Sequence, residues 1–437
     1  MQPVTALPAG SRLPVPLQTA RWVARPLPFL KGLENRYGDV FTIRLVREGT
    51  WVMVSDPELV KQVFTAPPGM LHAGEGNKIL EPILGTRSVL LLDGDKHMRQ
   101  RKLLLPPFHG NRMERYGEVM REAAESEIER WPTGVEASAW PRMQSIALEV
   151  ILRAVFGVSA AERLDPLRRA LGELLEFTVG GARMAILVFA GPDRLRRNRA
   201  FGFQQMMERA DELVLAEVAR HRDDPDLESR DDVLSLLLQA RDEDGQPMTD
   251  AELRDELMTL LVAGHETTAT SLAWALERLV RTPEALERTV AEAADGGGEY
   301  TDAVIQETLR LRPVIPIVAR KVKQPFQLGD RVIPEGATIT PSILLMHRRP
   351  DVYPDPSAFR PERFLEKPPG TYTWIPFGGG VRRCIGASFA LFEMKVVLST
   401  ILARATVRAV DPKPERVKRR AITLTPEHGA SVVLEPR

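Results

Sequence analysis

Cys384 is the only cysteine in 437 residues, and it lies within Phe377-Gly378-Gly379-Gly380-Val381-Arg382-Arg383-Cys384-Ile385-Gly386. A solitary thiol forms no intramolecular disulfide, so packing, chemistry or metal ligation must account for it. The neighbours speak against packing. Glycines at 378, 379, 380 and 386 strip the loop of side chains, letting backbone approach something flat and bulky. Arg382 and Arg383 favour a thiolate and offer partners to anionic groups beside it. The run Ile385–Leu398 reads as a helix, which sets the sulfur at a helix N-terminus, where free N–H groups and the dipole favour negative charge. The plainer alternative is a buried cysteine at a strand-to-helix turn.

A second cluster, Ala263-Gly264-His265-Glu266-Thr267-Thr268, interrupts an otherwise apolar run. Thr249 and Glu252 form a capping box upstream and Pro283 follows the expected end at Arg281. This predicts a helix of about 30 residues, roughly 45 Å long, crossing a whole domain. Polar groups in its middle are costly unless satisfied or functional. Thr267 bonding back to a carbonyl four residues earlier would be the structural explanation. Glu307 and Arg310 share one helix face, as do His97 and Arg101. Neither pair is informative alone, since exposed ion pairs contribute little.

Together these segments resemble the cytochromes P450. The family's haem loop is Phe-x-x-Gly-x-Arg/His-x-Cys-x-Gly, and Phe377, Gly380, Arg382, Cys384 and Gly386 fill each fixed position. The resemblance implies haem b (iron protoporphyrin IX) with Cys384 as its axial metal ligand, whose electron push favours O–O cleavage. It also implies that Phe377 shields the sulfur and Arg382 reaches a propionate. The family carries Ala/Gly-Gly-x-Asp/Glu-Thr-Thr/Ser at the second cluster. Ala263 and Gly264 would then border the haem, the helix opening at Gly264 beside the iron, with Thr267 meeting dioxygen and Glu266 feeding protons. Arg363, in Phe359-Arg360-Pro361-Glu362-Arg363-Phe364, would complete a buried structural triad with Glu307 and Arg310. His97, Arg101 and Arg320 would bind the propionates. One departure is His347-Arg348-Arg349-Pro350, where many members have Asp at the third position.

These residues need a frame to position them. Helical periodicity covers 111–131, 139–156, 165–187, 199–220 and 232–240. Alternation at Phe41, Ile43 and Leu45, a turn at Glu48-Gly49, and Thr50–Val54 predict a hairpin. A second strand-rich stretch spans Ile317–Thr340, and Ala421–Thr425 with Ala430–Leu434 suggest another hairpin across Pro426–Gly429. Residues 350–380 read as a meander or loop. The expected fold is mainly α with small β-sheets (α+β), the P450 fold with a long central helix crossing over the haem. A single domain over 1–437 is expected, with β-rich portions at about 38–56, 315–345 and 420–435.

Basic and acidic residues balance at 59 each, with a pI near 7.1, so bulk charge makes no case for nucleic acid or an acidic membrane. The first 30 residues read as neither signal peptide nor anchor, and one cysteine fits a reducing cytoplasm. The resemblance places Ile83, Leu90, Phe177, Val179, Leu260, Val314, Ile317, Val318 and Leu424 around the distal pocket. Their apolar character predicts a lipophilic small-molecule substrate. The overall flavour is that of the soluble bacterial subgroup acting on fatty acids, alkanes and terpenes. Arg194, Arg196, Arg197 and Arg199 are either a carboxylate anchor or a solvated loop. The chain has no dinucleotide, flavin or iron–sulfur motif of its own. Electrons are therefore expected from a ferredoxin and an NAD(P)H-dependent ferredoxin reductase, docking on a basic face that includes Arg99, Lys102, Arg382 and Arg383. A monomeric monooxygenase is the leading expectation. A peroxide-using or rearranging enzyme, and a non-catalytic haem-binding protein, are the alternatives.

Overall fold

Thr249 starts the longest element. Its hydroxyl accepts the Glu252 amide at 3.2 Å, while the Glu252 carboxylate accepts the Thr249 amide at 2.8 Å. This reciprocal cap satisfies donors that a helix start leaves open. The computed structural model describes residues 7–67, 69–108, 112–158, 160–179 and 202–437. In it the helix runs unbroken over Asp250–Leu279, with 20 of its 30 residues buried. It is enclosed on nearly all sides rather than amphipathic. Leu253, Leu257, Leu261, Leu272 and Leu276 join the largest hydrophobic cluster. Ala139–Val150 packs along it and continues into a single π-helical turn, Ile151–Val155.

The other predicted helices appear as Arg112–Glu129, Ala161–Val179, Phe203–Arg222 and Val233–Gln239. The parts of the 165–187 and 199–220 predictions within 180–201, and the arginines at 194–199, lie outside the described residues.

Val40–Leu45 and Gly49–Val54 form the expected hairpin, with Phe41 opposite Met53 and Ile43 opposite Trp51. Gly49–Val54 then runs parallel to Thr338–Pro341. Arg320–Val322 and Leu71–His72 complete a five-stranded sheet through antiparallel pairs. The C-terminal hairpin expected across Pro426–Gly429 does not form. Thr423–Pro426 pairs back with Val417–Arg420, whereas Ser431–Pro436 lies between Glu136–Ser138 and Ala405–Ala409. Gly429 at φ 79° and Ala430 at φ 57° turn the chain from one sheet into the other. The Gly429 carbonyl accepts from Ser138 Oγ and from the Trp140 amide, each at 2.9 Å, which fixes the crossing.

Candidate functional site

The cysteine loop is shaped first by backbone geometry. Gly378 and Gly380 sit at φ 67° and 65°, where side chains are disfavoured. A Cβ on Gly379 would lie 2.2 Å from the Phe64 ring, and one on Gly380 would lie 2.0 Å from the Phe64 carbonyl oxygen. This corrects the expectation that all the glycines make way for a flat group: these two make way for Phe64. Gly386 is different, because a Cβ there meets nothing within 4 Å. The Cys384 amide donates to the Phe377 carbonyl at 3.0 Å and closes the loop. The following helix, Ala387–Arg404, starts three residues later, so its first turn is close to the sulfur.

Cys384 is accessible, yet burial pushes its thiol pKa up against the lowering pull of the Gly386 N–H, Arg101 and Arg383. A group both accessible and desolvated faces an interior hollow rather than bulk water. The expected thiolate-favouring effect of the two preceding arginines is outweighed by desolvation, and Arg382 is turned elsewhere.

Arg382 donates to Asp93 Oδ1 at 2.5 Å and to the carbonyls of Val89 and Leu92. Asp93 also accepts the amides of Ala73 and Gly74, each at 2.9 Å. The residue escapes sequence analysis because Asp93-Gly94 before a helix reads as a simple N-cap. His97 is buried, and its pKa falls to about 3 through desolvation and then the charges of Arg382, Arg101 and Arg320. The four side chains predicted to surround the propionates are therefore brought together. Arg320 is 7% exposed, and burial lowers it to about 10. Arg320 donates to the Ala319 carbonyl and Arg101 to the Arg383 carbonyl. Among the described residues neither meets a carboxylate. Three arginines against Asp93 leave two positive charges uncompensated beside the cysteine hollow. That excess matches a group carrying two carboxylates, so the residues present fit a haem.

On the long helix, Ala263 is exposed in mid-helix while Leu261 and His265 to either side are buried, so it too borders a hollow. The expected opening at Gly264 is absent. A Cβ on Gly264 would lie 3.3 Å from Ile151 Cδ1, so this glycine admits the π-turn of the neighbouring helix. Thr267 Oγ1 donates to the Ala263 carbonyl at 2.6 Å, leaving its lone pairs free to accept. Glu266 is 7% exposed. Its Oε2 accepts from Gln144 Nε2 at 3.1 Å, and its Oε1 has no hydrogen-bond partner. Burial raises its pKa to about 7, against the opposing effects of Arg420, Gln144 and Thr423. His265 Nε2 donates to the Gln144 carbonyl at 3.1 Å, and burial lowers its pKa to about 4, so the ring is neutral. Gln144 carries no motif; only the packing of two helices reveals it.

Glu307, Arg310 and Arg363 meet as expected. Arg310 Nε and Nη2 hold the two Glu307 oxygens at 2.6 and 2.8 Å, and Arg363 Nε adds a contact at 3.2 Å. Sequence analysis flagged only a departure at 347–350, but His347 belongs here too. Its Nε2 accepts the Ile375 amide at 2.9 Å and its Nδ1 donates to the Arg310 carbonyl at 3.2 Å, bolting the meander to the triad.

The distal positions divide. Ile83, Leu90 and Leu260 are half-buried against the main core, and Ile317 and Val318 are half-buried on the sheet side. Val314 is buried, with its carbonyl accepting the Leu424 amide at 2.8 Å. Leu424 is 3% exposed in the cluster with Trp22 and Phe29, which corrects its expected place on a substrate surface. Phe177 and Val179 lie at the end of Ala161–Val179, but their side chains are outside the described residues. The expected basic face is also largely spoken for. Arg99 pairs with Asp242 and Glu252, Lys102 with Glu243 and Arg382 with Asp93, leaving Arg383 exposed.

Comparison with known proteins agrees with this geometry. The family model described as Cytochrome P450 matches residues 16–433. Proteins of Mycobacterium tuberculosis designated cytochrome P450 135B1 and 138 are 42% and 40% identical to this chain. The alignments cover 98% of this chain and 91% of the first, and 100% of this chain and 98% of the second. The solved structure of the retinoic-acid-bound cyanobacterial CYP120A1 superposes with a TM-score of 0.83, covering 99% of this chain and 100% of that one. At 24% identity that likeness shows the fold alone.

Proposed function

The chain belongs to the cytochrome P450 family, haem-thiolate monooxygenases with a cysteine-ligated haem b, and from that premise we propose that it inserts one atom of dioxygen into a lipophilic small molecule. The observation carrying this reading is the pair of uncompensated positive charges beside an accessible Cys384. Cys384 would hold the iron, while Arg101 and Arg320, with neutral His97, would hold the propionates, and Arg382, paired with Asp93, would border them. When bound, the haem supplies the one-electron and dioxygen chemistry.

The protein's part is proton handling and exclusion of water. Glu266, with its pKa near 7, is divided between its two protonation states at neutral pH, so it takes up and releases a proton without large cost. Gln144 fixes Oε2 and so orients the carboxyl. Thr267 Oγ1, its hydrogen committed to Ala263, first accepts a hydrogen bond and donates only after rotating. Ile83, Leu90, Leu260, Ile317 and Val318 supply the apolar, partly accessible surface that favours a lipophilic substrate. No described helix is long and apolar enough to cross a membrane. Electrons would come from a ferredoxin and its NAD(P)H-dependent reductase in the cytoplasm, with exposed Arg383 on the docking face.

Turnover with surrogate redox partners under labelled dioxygen tests the reading, the expected result being label in the product. Product formed with peroxide alone, independent of reductant and dioxygen, would instead favour the peroxide-using alternative. Thr267→Ala should cut product per reductant consumed, roughly tenfold or more, with the balance lost to peroxide. Unchanged yield would remove Thr267 from proton delivery.

A further inference from the structure

A cavity of about 200 Å³ lies where the two N-terminal helices, Val15–Ala24 and Pro26–Tyr37, meet the end of the Glu299–Leu311 helix. Arg25, Arg312 and Arg348 line it, with Leu27, Trp274 and Leu424 among its apolar walls. Cys384, Ala263 and Thr267 are not among its lining residues, so it is separate from the hollow described above.

Arg348 donates to the Leu311 carbonyl at 2.8 Å and the Leu344 carbonyl at 3.2 Å. Arg312 makes a single long contact of 3.4 Å to the Leu311 carbonyl and lies 5.1 Å from the Trp274 ring centre. The Arg312 Nε is buried without a hydrogen-bond partner. Among the described residues none of the three arginines forms a salt bridge. The nearby acid, Glu277, is already held by Arg278 and Arg281 and accepts the Glu415 amide. Burial lowers Arg312 to about 10 and Arg348 to about 9, with neighbouring arginines adding to both and Glu277 opposing only at Arg312.

We propose that this cavity is a binding site for a small organic carboxylate, whose head pairs with Arg312 and Arg348 and whose body rests on Leu27 and Val417. A planar guanidinium matches a carboxylate in two-point geometry, and among the described residues Arg312 Nη2 makes no hydrogen bond. The apolar walls select an organic acid over an inorganic anion, and the volume suits a molecule about the size of benzoate. Arg25, exposed on the rim, adds attraction at the mouth.

Calorimetric titration of the holoenzyme with benzoate, its haem pocket saturated by an iron-ligating azole, tests this. One equivalent should bind, benzyl alcohol should not, and inorganic phosphate should bind at least about tenfold more weakly. Arg312→Gln should weaken benzoate about tenfold or more, and Arg25→Glu about threefold to tenfold. Arg312→Gln also disturbs a buried side chain, so a second variant guards against misfolding. Ala24→Trp, on the exposed rim, should abolish binding with the haem spectrum unchanged. Benzoate binding lost in the presence of the azole, equal affinity for benzyl alcohol or phosphate, unaltered affinity in Arg25→Glu and Ala24→Trp, or no binding at all would overturn the proposal.

Discussion

The buried arginines around Glu307 and those beside Cys384 differ in how completely they are paired. At the Glu307 triad, Arg310 is fully buried, and its remaining donors reach the carbonyls of His347, Pro356 and Ala358. Both arginines there reach the one carboxylate, and their remaining donors end on backbone carbonyls. At Arg101, Arg320 and Arg382, one carboxylate answers three cations. A closed cluster organises the fold. An open cluster at similar depth is stable only when something else completes it, because a buried unpaired charge costs several kcal/mol. Incomplete pairing therefore points to a site more reliably than burial does.

The sharpest way to break the comparison is to open the closed cluster. Glu307→Gln leaves Arg310 and Arg363 facing a neutral amide, and should lower unfolding stability by about 3–5 kcal/mol. Urea denaturation should show the same loss with and without haem. A loss seen only with haem would make the triad part of the cofactor site.

Glu266 offers the acidic counterpart, a buried carboxyl with one unpartnered oxygen. Its folded pKa of about 7 lies above the ordinary 4.5, so the native state binds more protons than the unfolded state between those values. Its contribution to stability is present at low pH and is lost as pH rises through that window, by about 3 kcal/mol in all. Glu266→Gln should flatten the stability–pH profile there, and should also abolish a fall in product per reductant as pH rises past about 7. An unchanged profile would mean the carboxyl is hydrated.

Closing the open cluster chemically should have the opposite sign from opening the triad. Arg320→Met should leave the apoprotein within about 1 kcal/mol of its original stability, or raise it. Haem retention, read by transfer to excess apomyoglobin, should weaken by about tenfold to a hundredfold. Parallel losses of both would assign Arg320 a structural role.

The smallest effect belongs to a feature outside both clusters. Thr249→Ala removes the cap of the long helix and should cost about 1 kcal/mol in urea unfolding. Its haem retention should be unchanged, which sets the scale for a purely local change.

Much of the site was legible because its signals are short in sequence. The capping box, the hairpin at Gly49 and the cysteine loop each fall within a few residues, where backbone preference and side-chain reach decide the outcome. The distant partners were not legible. Asp93 faces Arg382 across 289 positions, and Gln144 meets Glu266 across 122. Each is an ordinary polar residue until packing brings a partner to it. Leu424 fell for the same reason, since an apolar residue on a strand suits a pocket wall and a core equally well.

The sequence by itself determined the long helix with its acid–hydroxyl pair, which rests on residue types at local spacing. The haem chemistry and the triad, whose Arg363 lies 56 positions from Glu307, were legible through the family resemblance. Tertiary structure decided the rest. It turned two loop glycines toward Phe64, paired the last strands with distant partners instead of each other, and raised Glu266 to about 7 by enclosing it. It also left two arginine charges unmatched around the cysteine. Strand pairing, desolvation and charge balance all depend on which segments come together in space, and no short stretch of chain contains that information.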